Sequence, residues 1–199
     1  MIIGLLLAGV LKGQELINSA KFKNLAGDFK SIPVFIYGYQ DKYKALPGDD
    51  ANAQLHLGPT AVQATTPGTV GNGAIEGAWN SIITTDESFL FWQHVRLAGF
   101  GPGSIVITDP SYLPKNTLGG SIGVTNSSTN FPITGIKGTY VVCSDSIPGK
   151  FAKQLDAMLD DGNPATGSLM ISTVTIGGAP MVDTAHVLDD NTYLVCMGY

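Results

Sequence analysis

The first 44 residues carry two successive apolar patterns. Residues 1–11 (MIIGLLLAGVL) are apolar without interruption. Further along, apolar side chains recur at alternating steps of three and four, the spacing that lines one stripe of an α-helix. The members of this stripe are Phe22, Leu25, Phe29, Ile32, Ile36, Tyr39 and Tyr43. We therefore predict one helix over residues 1–44, with an apolar tip at 1–11 and an amphipathic stem at 12–44, which ends before a Pro-Gly turn at 47–48.

The predicted helix is longer than the remaining chain can cover. A helix of this length spans about 66 Å at 1.5 Å per residue, which exceeds the diameter of a domain formed by the rest of a 199-residue chain. Part of the helix must therefore protrude. The alternative is that residues 1–11 form a strand or a helix inside the core. Pro33 lacks a backbone donor and crowds the preceding turn, so we predict a helix kink there.

Residues 45–199 predict a globular head domain of mixed structure. Residues 48–82 are rich in Gly, Thr, Ala and Asn, which indicates loops with short extended pieces. Apolar periodicity and end signals predict one helix at 86–98 and another within the sequence SIPGKFAKQLDAMLDDG. Runs of β-branched and apolar residues predict strands at 104–108, 121–125, 139–143, 168–176 and 192–197. The expected fold class is α+β, with a long protruding N-terminal α-helix packed on a head of antiparallel β-sheet and short helices.

Composition and charge narrow the possible functions. With 44% hydrophobic residues and a net charge of -5, the chain can bury a core, which excludes a disordered protein. Residues 1–44 have a charge balance of +3 and residues 45–199 one of -8, so the two parts are chemically distinct. The acidic pI of about 4.9 provides no general attraction for phosphate. We expect no specific nucleic-acid site.

Residues suited to catalysis or metal binding do not form a known motif. The three histidines are isolated, and the sequence lacks the HExxH, GxSxG and P-loop patterns. We therefore expect neither an enzyme nor a resident cofactor. Asp160, Asp161 and Asn163 form a cluster of hard oxygen ligands that could bind calcium. The alternative interpretation is a polar helix end followed by a turn.

Three segments of the chain resemble type IV pilins and pseudopilins. IIGLLLAGVLKGQELINSAK (residues 2–21) is similar to the N-terminal helix of this family, and ALPGDDANA (45–53) to the segment where such subunits leave that helix for the head. IPGKFAKQLDAMLDDGNPATGS (147–168) resembles a late segment of large family members. The resemblance implies a pilin-like fold whose N-terminal helix forms the core of a filament. The filament-core residues that it implies are Leu5, Leu6, Leu7, Val10, Leu11, Leu16 and Ile17.

The resemblance does not extend to the processing signals of the family. Family precursors carry a basic leader, a glycine before the cleavage point and a Phe-led apolar run with a glutamate near its start. The sequence has no counterpart of these features, and Met1 falls inside the mature family helix rather than at its start. We expect a leader of this kind to be encoded in frame upstream of Met1.

The two cysteines, Cys143 and Cys196, lie outside any CxxC motif, which argues against redox and zinc-knuckle sites. Each ends a similar β-type run, TYVVC and TYLVC, and two such strands lying side by side would bring the cysteines within bridging distance. A pilin-like chain matures in an oxidising compartment, where a proximal pair forms a disulfide. The alternative is two buried free thiols.

The protruding helix and the resemblance together imply a structural subunit of a type IV pilus-like extracellular filament. Its expected partners are further copies of the chain in a helical homo-oligomer, the inner membrane that anchors it before assembly, and the pilus assembly machinery. Two alternatives remain open: a pseudopilin of a type II secretion-type system, and a membrane-anchored binding module or adhesin.

Overall fold

One long helix and a small antiparallel sheet organise the protein in this computed structural model, which describes residues 2–126, 132–173 and 177–199 and, for residues 2–8, the backbone alone. The helices are α1 (Ile2–Tyr43), α2 (Ala53–Leu57), α3 (Glu87–Leu97) and α4 (Gly149–Leu159), with a 3₁₀ turn at Thr184–His186. The strands are β1 (Ile122–Asn126), β2 (Tyr140–Pro148), β3 (Leu169–Ser172) and β4 (Thr192–Gly198). They form one sheet in the order β1-β2-β4-β3, and every neighbouring pair is antiparallel. The α+β fold class is confirmed.

The two halves of α1 have opposite surroundings. In the second half, the predicted apolar stripe is buried against the head, where Leu25, Phe29 and Ile36 are fully inaccessible to solvent. In the first half, no residue from 9 to 20 is buried. Removing apolar side chains from water stabilises only the second half, by roughly 1.5–3 kcal/mol for each large side chain. The head leaves the described side chains of the first half, from residue 9 to residue 20, largely uncovered.

Pro33 lies in the buried half of α1 and does not end the helix, which continues to Tyr43. The predicted kink at this residue stays a prediction. Pro33 has no N–H to donate to the carbonyl of Phe29, four residues earlier. The hydroxyl of Tyr199 donates to that carbonyl instead, at 2.5 Å. A side chain at the end of the last strand thus replaces the helical hydrogen bond that the proline removes.

Alternation along the strands divides the core into two layers. Val142 and Val195 point to the layer shared with α1, α3 and α4. Val141 and Leu194, one residue away on the same strands, point to a smaller layer that includes Trp79. The other members of this second layer are Ile133, Ile136, Cys143, Met170 and Cys196. The sheet is therefore covered on both faces, by helices on one and by loops on the other.

The strand predicted at 104–108 is wrong. The segment is a loop whose carbonyls accept hydrogen bonds from side chains of α3: Arg96 donates to Ser104 at 2.8 Å, and Gln93 donates to Ile105 at 3.1 Å. Because these carbonyls bond to side chains and not to a neighbouring strand, the segment does not join the sheet. Its apolar residues Ile105 and Val106 are exposed.

The other elements match the predictions with small differences in length. The helix predicted at 86–98 is α3, and the strand predicted at 139–143 continues to Pro148 as β2. The strand predicted at 168–176 is shorter, because β3 ends at Ser172; residues 174–176 lie outside the described residues. The sequence of residues 48–82 predicted loops and extended pieces, and the short helix α2 in this segment was not expected.

Cys143 and Cys196 form a disulfide, which confirms the predicted pair and excludes two free thiols. They lie directly opposite each other where β2 pairs with β4, and both are fully buried in the second core layer. The bridge therefore cross-links the two central strands of the sheet from inside.

We predict that replacing both cysteines by alanine lowers the free energy of unfolding by about 2–5 kcal/mol, because the bridge closes a long loop in the unfolded chain. The two residues are 53 positions apart. Urea unfolding of the wild type and the double variant measures this loss. Mass analysis of denatured, non-reduced wild type after alkylation should show no modified thiol. Two alkylated thiols in that sample would contradict the bridge.

Candidate functional site

The protruding half of α1 carries apolar side chains that the head does not cover. Val10, Leu11, Leu16 and Ile17 are between 57% and 63% exposed. The other three predicted filament-core residues, Leu5, Leu6 and Leu7, lie where only the backbone is described. Large exposed apolar side chains on one element are typical of a surface that contacts another molecule or a membrane.

The ion pair in the protruding half of α1 is exposed to solvent. Lys12 and Glu15 form an exposed ion pair at 2.7 Å, a type that contributes little to stability.

Among the described residues, no helix combines the length and the apolar content that crossing a bilayer requires.

A buried acidic junction holds the other end of α1. It comprises Asp49 and Asp50, which follow the helix, together with Glu87 and His94 of α3, and all four are at most 2% exposed. Acidic side chains are rarely buried unless they are paired or protonated. The partners of each group therefore show what the junction does.

Asp50 links the end of α1 to α2. Its carboxylate accepts hydrogen bonds from the Tyr39 hydroxyl and from His56 Nδ1, both at 2.7 Å, and from the Asn52 N–H at 2.8 Å. Burial alone would raise the pKa of Asp50, but the hydrogen bonds from His56, Tyr39 and Asn52 outweigh it and hold the pKa below its usual value. Asp50 is therefore a carboxylate that ties Tyr39 of the stem to the head.

Asp49 organises the loop at 71–73. Its carboxylate accepts from the N–H groups of Gly71, Asn72 and Gly73, the last at 2.7 Å. A single side chain therefore fixes three consecutive backbone amides that have no strand partner.

Glu87 lies beside Asp49 in the interior. Its Oε2 accepts from the Glu76 N–H at 2.7 Å, whereas its Oε1 has no donor among the described residues. Burial, and then the charges of Asp49 and Glu76, raise the pKa of Glu87 to about 8, although the Glu76 amide opposes the shift. The raised pKa favours the protonated form of Glu87, which lies beside the Asp49 carboxylate.

His94 completes the junction as a neutral ring. Its Nδ1 accepts from the Gly48 N–H at 2.9 Å, and its Nε2 donates to the Val62 carbonyl at 2.8 Å. Burial lowers the pKa of His94 below its usual value, although the Val62 carbonyl opposes the shift. Gly48 is required here, because it has a φ of 91° and a Cβ would lie 2.3 Å from the Glu87 carbonyl oxygen.

The junction connects the end of α1 to the head. Asp50 bonds to Tyr39 of α1, His94 to the connecting segment at Gly48, and Asp49 to a neighbouring loop. The sequence ALPGDDANA indicated this place, but not the burial of Glu87 and His94, because isolated polar residues in α3 carry no signal of burial.

The predicted calcium residues lie at the other end of the head. Asp160 and Asp161 follow α4, and their carboxylates lie close to that of Asp156 in its last turn. Asn163 uses its side-chain oxygen to accept from the Ala165 N–H at 3.2 Å. Asp156 was missed by sequence reasoning, although its spacing of four residues from Asp160 places the two on one helical face.

No family model, curated protein or solved structure matches this chain.

The bond between Tyr199 and Phe29 leads to a test by double substitution. We predict that Tyr199→Phe lowers the free energy of unfolding by about 1–3 kcal/mol, because it leaves the Phe29 carbonyl without a donor. In a Pro33→Ala background the same change should cost clearly less, because the introduced alanine supplies the missing N–H. Urea unfolding of the four proteins measures the coupling. Equal costs in both backgrounds would contradict this role of Tyr199.

The pKa of Glu87 leads to a pH prediction. A carboxyl whose pKa is raised in the fold contributes stability at low pH that is lost as the pH rises from its unfolded value to its folded value, here about 8. Glu87→Gln keeps a donor toward Asp49 at every pH. The variant should therefore lose less stability than the wild type between about pH 7 and 9.

Urea unfolding at several pH values measures these slopes. The upper range isolates Glu87, because the raised pKa values of Asp28 and Asp156 are about 6. Glu15→Gln, an exposed change on the protruding half of α1, is the matched control and should keep the wild-type slope. If stability changes with pH in Glu87→Gln as steeply as in the wild type, Glu87 does not hold a proton in the folded protein.

Proposed function

We propose that this chain is a structural subunit of a type IV pilus-like extracellular filament, assembled through α1. The observation that carries the proposal is the exposed apolar surface of Val10, Leu11, Leu16 and Ile17 on a helix that protrudes from the head. Contiguous exposed apolar side chains on one element are typical of a surface that contacts another molecule or a membrane. We therefore expect a partner to cover the apolar side chains of the protruding half of α1.

The apolar tip has two successive partners in this proposal. Before assembly, lipid of the inner membrane covers it and anchors the subunit. In the filament, the helices of neighbouring copies cover it and form a central bundle, with the heads as the outer layer. Both surroundings are apolar, so transfer from lipid to protein, which the pilus assembly machinery carries out, leaves the tip dry throughout. A head-to-tail contact that does not close generates an open helical array.

Three further features support the assignment. The segments at 2–21, 45–53 and 147–168 resemble the pilin family. The buried disulfide Cys143–Cys196 suits a protein that matures in an oxidising compartment. The acidic junction also fits, because a filament of identical subunits requires every helix to leave its head at the same angle.

We predict that Leu11→Lys or Leu16→Lys abolishes filaments, because the added charge would be buried without a partner among the apolar side chains of neighbouring helices. Ile82→Lys is the matched control: Ile82 is also exposed, at 78%, but lies on the head. It should leave filament yield unchanged.

The measurement is electron microscopy of cells that carry the assembly machinery, with mass spectrometry of purified filaments to identify the subunit and immunoblots to show that each variant accumulates. Normal filament yield from both lysine variants at α1 would refute the proposal. A different outcome would favour the pseudopilin: the wild type forms no long filaments, and the lysine variants at α1 lose protein secretion.

A further inference from the structure

Three aspartates converge where α4 ends. Asp156 lies in the last turns of the helix, and Asp160 and Asp161 follow it directly. One carboxylate oxygen from each lies within 4.8 Å of the others. Asp156 is fully buried, Asp160 is half-buried and Asp161 is exposed, so the cluster runs from the interior to the solvent.

The loop after α4 holds the outer two carboxylates in place. Asp160 accepts from the Leu169 N–H at 2.8 Å, and Asp161 accepts from the Thr166 hydroxyl at 2.6 Å and from the Asn163 N–H at 2.8 Å. The close approach of the loop requires a glycine, because a Cβ at Gly167 would lie 1.9 Å from a carboxylate oxygen of Asp160.

Asp156 is the observation that points to a ligand. Both of its carboxylate oxygens are buried, and neither has a hydrogen-bond partner among the described residues. Leaving a buried carboxylate without a partner is strongly unfavourable. The other two aspartates surround its outer side, so the unpartnered group faces the cluster.

Among the described residues, no basic side chain is paired with the cluster, and Lys153, three residues before Asp156, pairs with Asp189 instead. The last turn of α4 contains no basic residue, and the C-terminal end of a helix already carries partial negative charge. None of the three aspartates takes part in the ion pairs of the described residues. Burial, and then the charge of Asp161, raise the pKa of Asp156 to about 6. The Gly162 amide opposes this shift but does not meet hydrogen-bonding geometry with the carboxylate.

We propose that Asp156, Asp160 and Asp161 bind a divalent cation with a preference for oxygen ligands, calcium above all. Calcium takes six to eight oxygens at about 2.3–2.6 Å in flexible geometry, so three carboxylates with water can hold it. Magnesium demands near-octahedral geometry and loses its water reluctantly, so we expect it to bind more weakly. The exposed side, at Asp161, admits the ion and the waters that complete its shell. The cation would join the end of α4 to the loop that leads into β3.

The experiment uses the full chain in detergent micelles after removal of divalent ions with a chelator. Calorimetric titration with calcium and with magnesium measures binding, and thermal unfolding with and without each ion measures its effect on the fold. Neither measurement depends on filament formation, so this proposal and the proposed function fail separately.

Three variants locate the site. Asp161→Asn removes one charge at an exposed position, and Asp156→Asn removes the buried charge. Asp190→Asn, in a different acidic turn, is the matched control because Asp190 is exposed and its loss changes the net charge equally.

We expect the wild type to bind one calcium ion with a dissociation constant of about 10⁻⁵–10⁻³ M, and its melting temperature to rise with calcium. Magnesium should bind more weakly. Asp161→Asn should weaken calcium binding at least about tenfold, the loss expected when one charged ligand is removed. Asp156→Asn should melt higher than the wild type without calcium and respond less to it, because the uncompensated charge is gone. Asp190→Asn should behave as the wild type.

Two results would overturn the proposal. One is the absence of both heat and a melting shift at about 5 mM calcium, above the weakest affinity expected. The other is wild-type calcium binding by Asp161→Asn, whose exposed position makes misfolding an insufficient explanation.

Discussion

Burial of one stripe of α1 is the interaction on which the rest of the structure depends. Leu25, Phe29 and Ile36 belong to the main core, which also contains residues of α3, α4 and the sheet. Because each contributes roughly 1.5–3 kcal/mol, the stripe outweighs any single hydrogen bond near it. Hydrogen bonds add to this burial. Asp50 of the junction accepts from Tyr39, and Tyr199 donates to the carbonyl that Pro33 leaves without a helical donor.

The same helix shows what periodicity can and cannot predict. The stripe was predictable because steps of three and four residues admit only one buried face. The strand at 104–108 was wrong because its apolar run carries no information about competitors for its carbonyls. These competitors, Gln93 and Arg96, lie on α3, which is buried nearly all round. Burial of polar side chains depends on three-dimensional packing, and a single sequence does not record it.

Some residues of the candidate sites were also predictable from the sequence, and others were not. The exposed apolar residues near the start of α1 were predictable, because a head of this size cannot cover so long a helix. Two of the three predicted calcium residues, Asp160 and Asp161, lie in the acidic cluster, and Asp156 was missed because its burial comes from contacts of α4 with the sheet. Glu87 was missed for the same reason: a glutamate in the first turn of a helix is usually a solvated group that favours the helix dipole.

Glu87 and Asp156 present one physical problem with two solutions. Each is a fully buried carboxyl beside further acids, and burial raises the pKa of each. At the junction, Asp49 and Glu87 are both at most 2% exposed, the Asp49 carboxylate already accepts from three backbone amides, and a proton on Glu87 offsets the remaining charge. At the end of α4, the exposed Asp161 opens the cluster to solvent, where the ordinary charge of aspartate persists at neutral pH. Solvent access therefore decides between the two: a closed acidic pair keeps a proton, and an open cluster is suited to a cation.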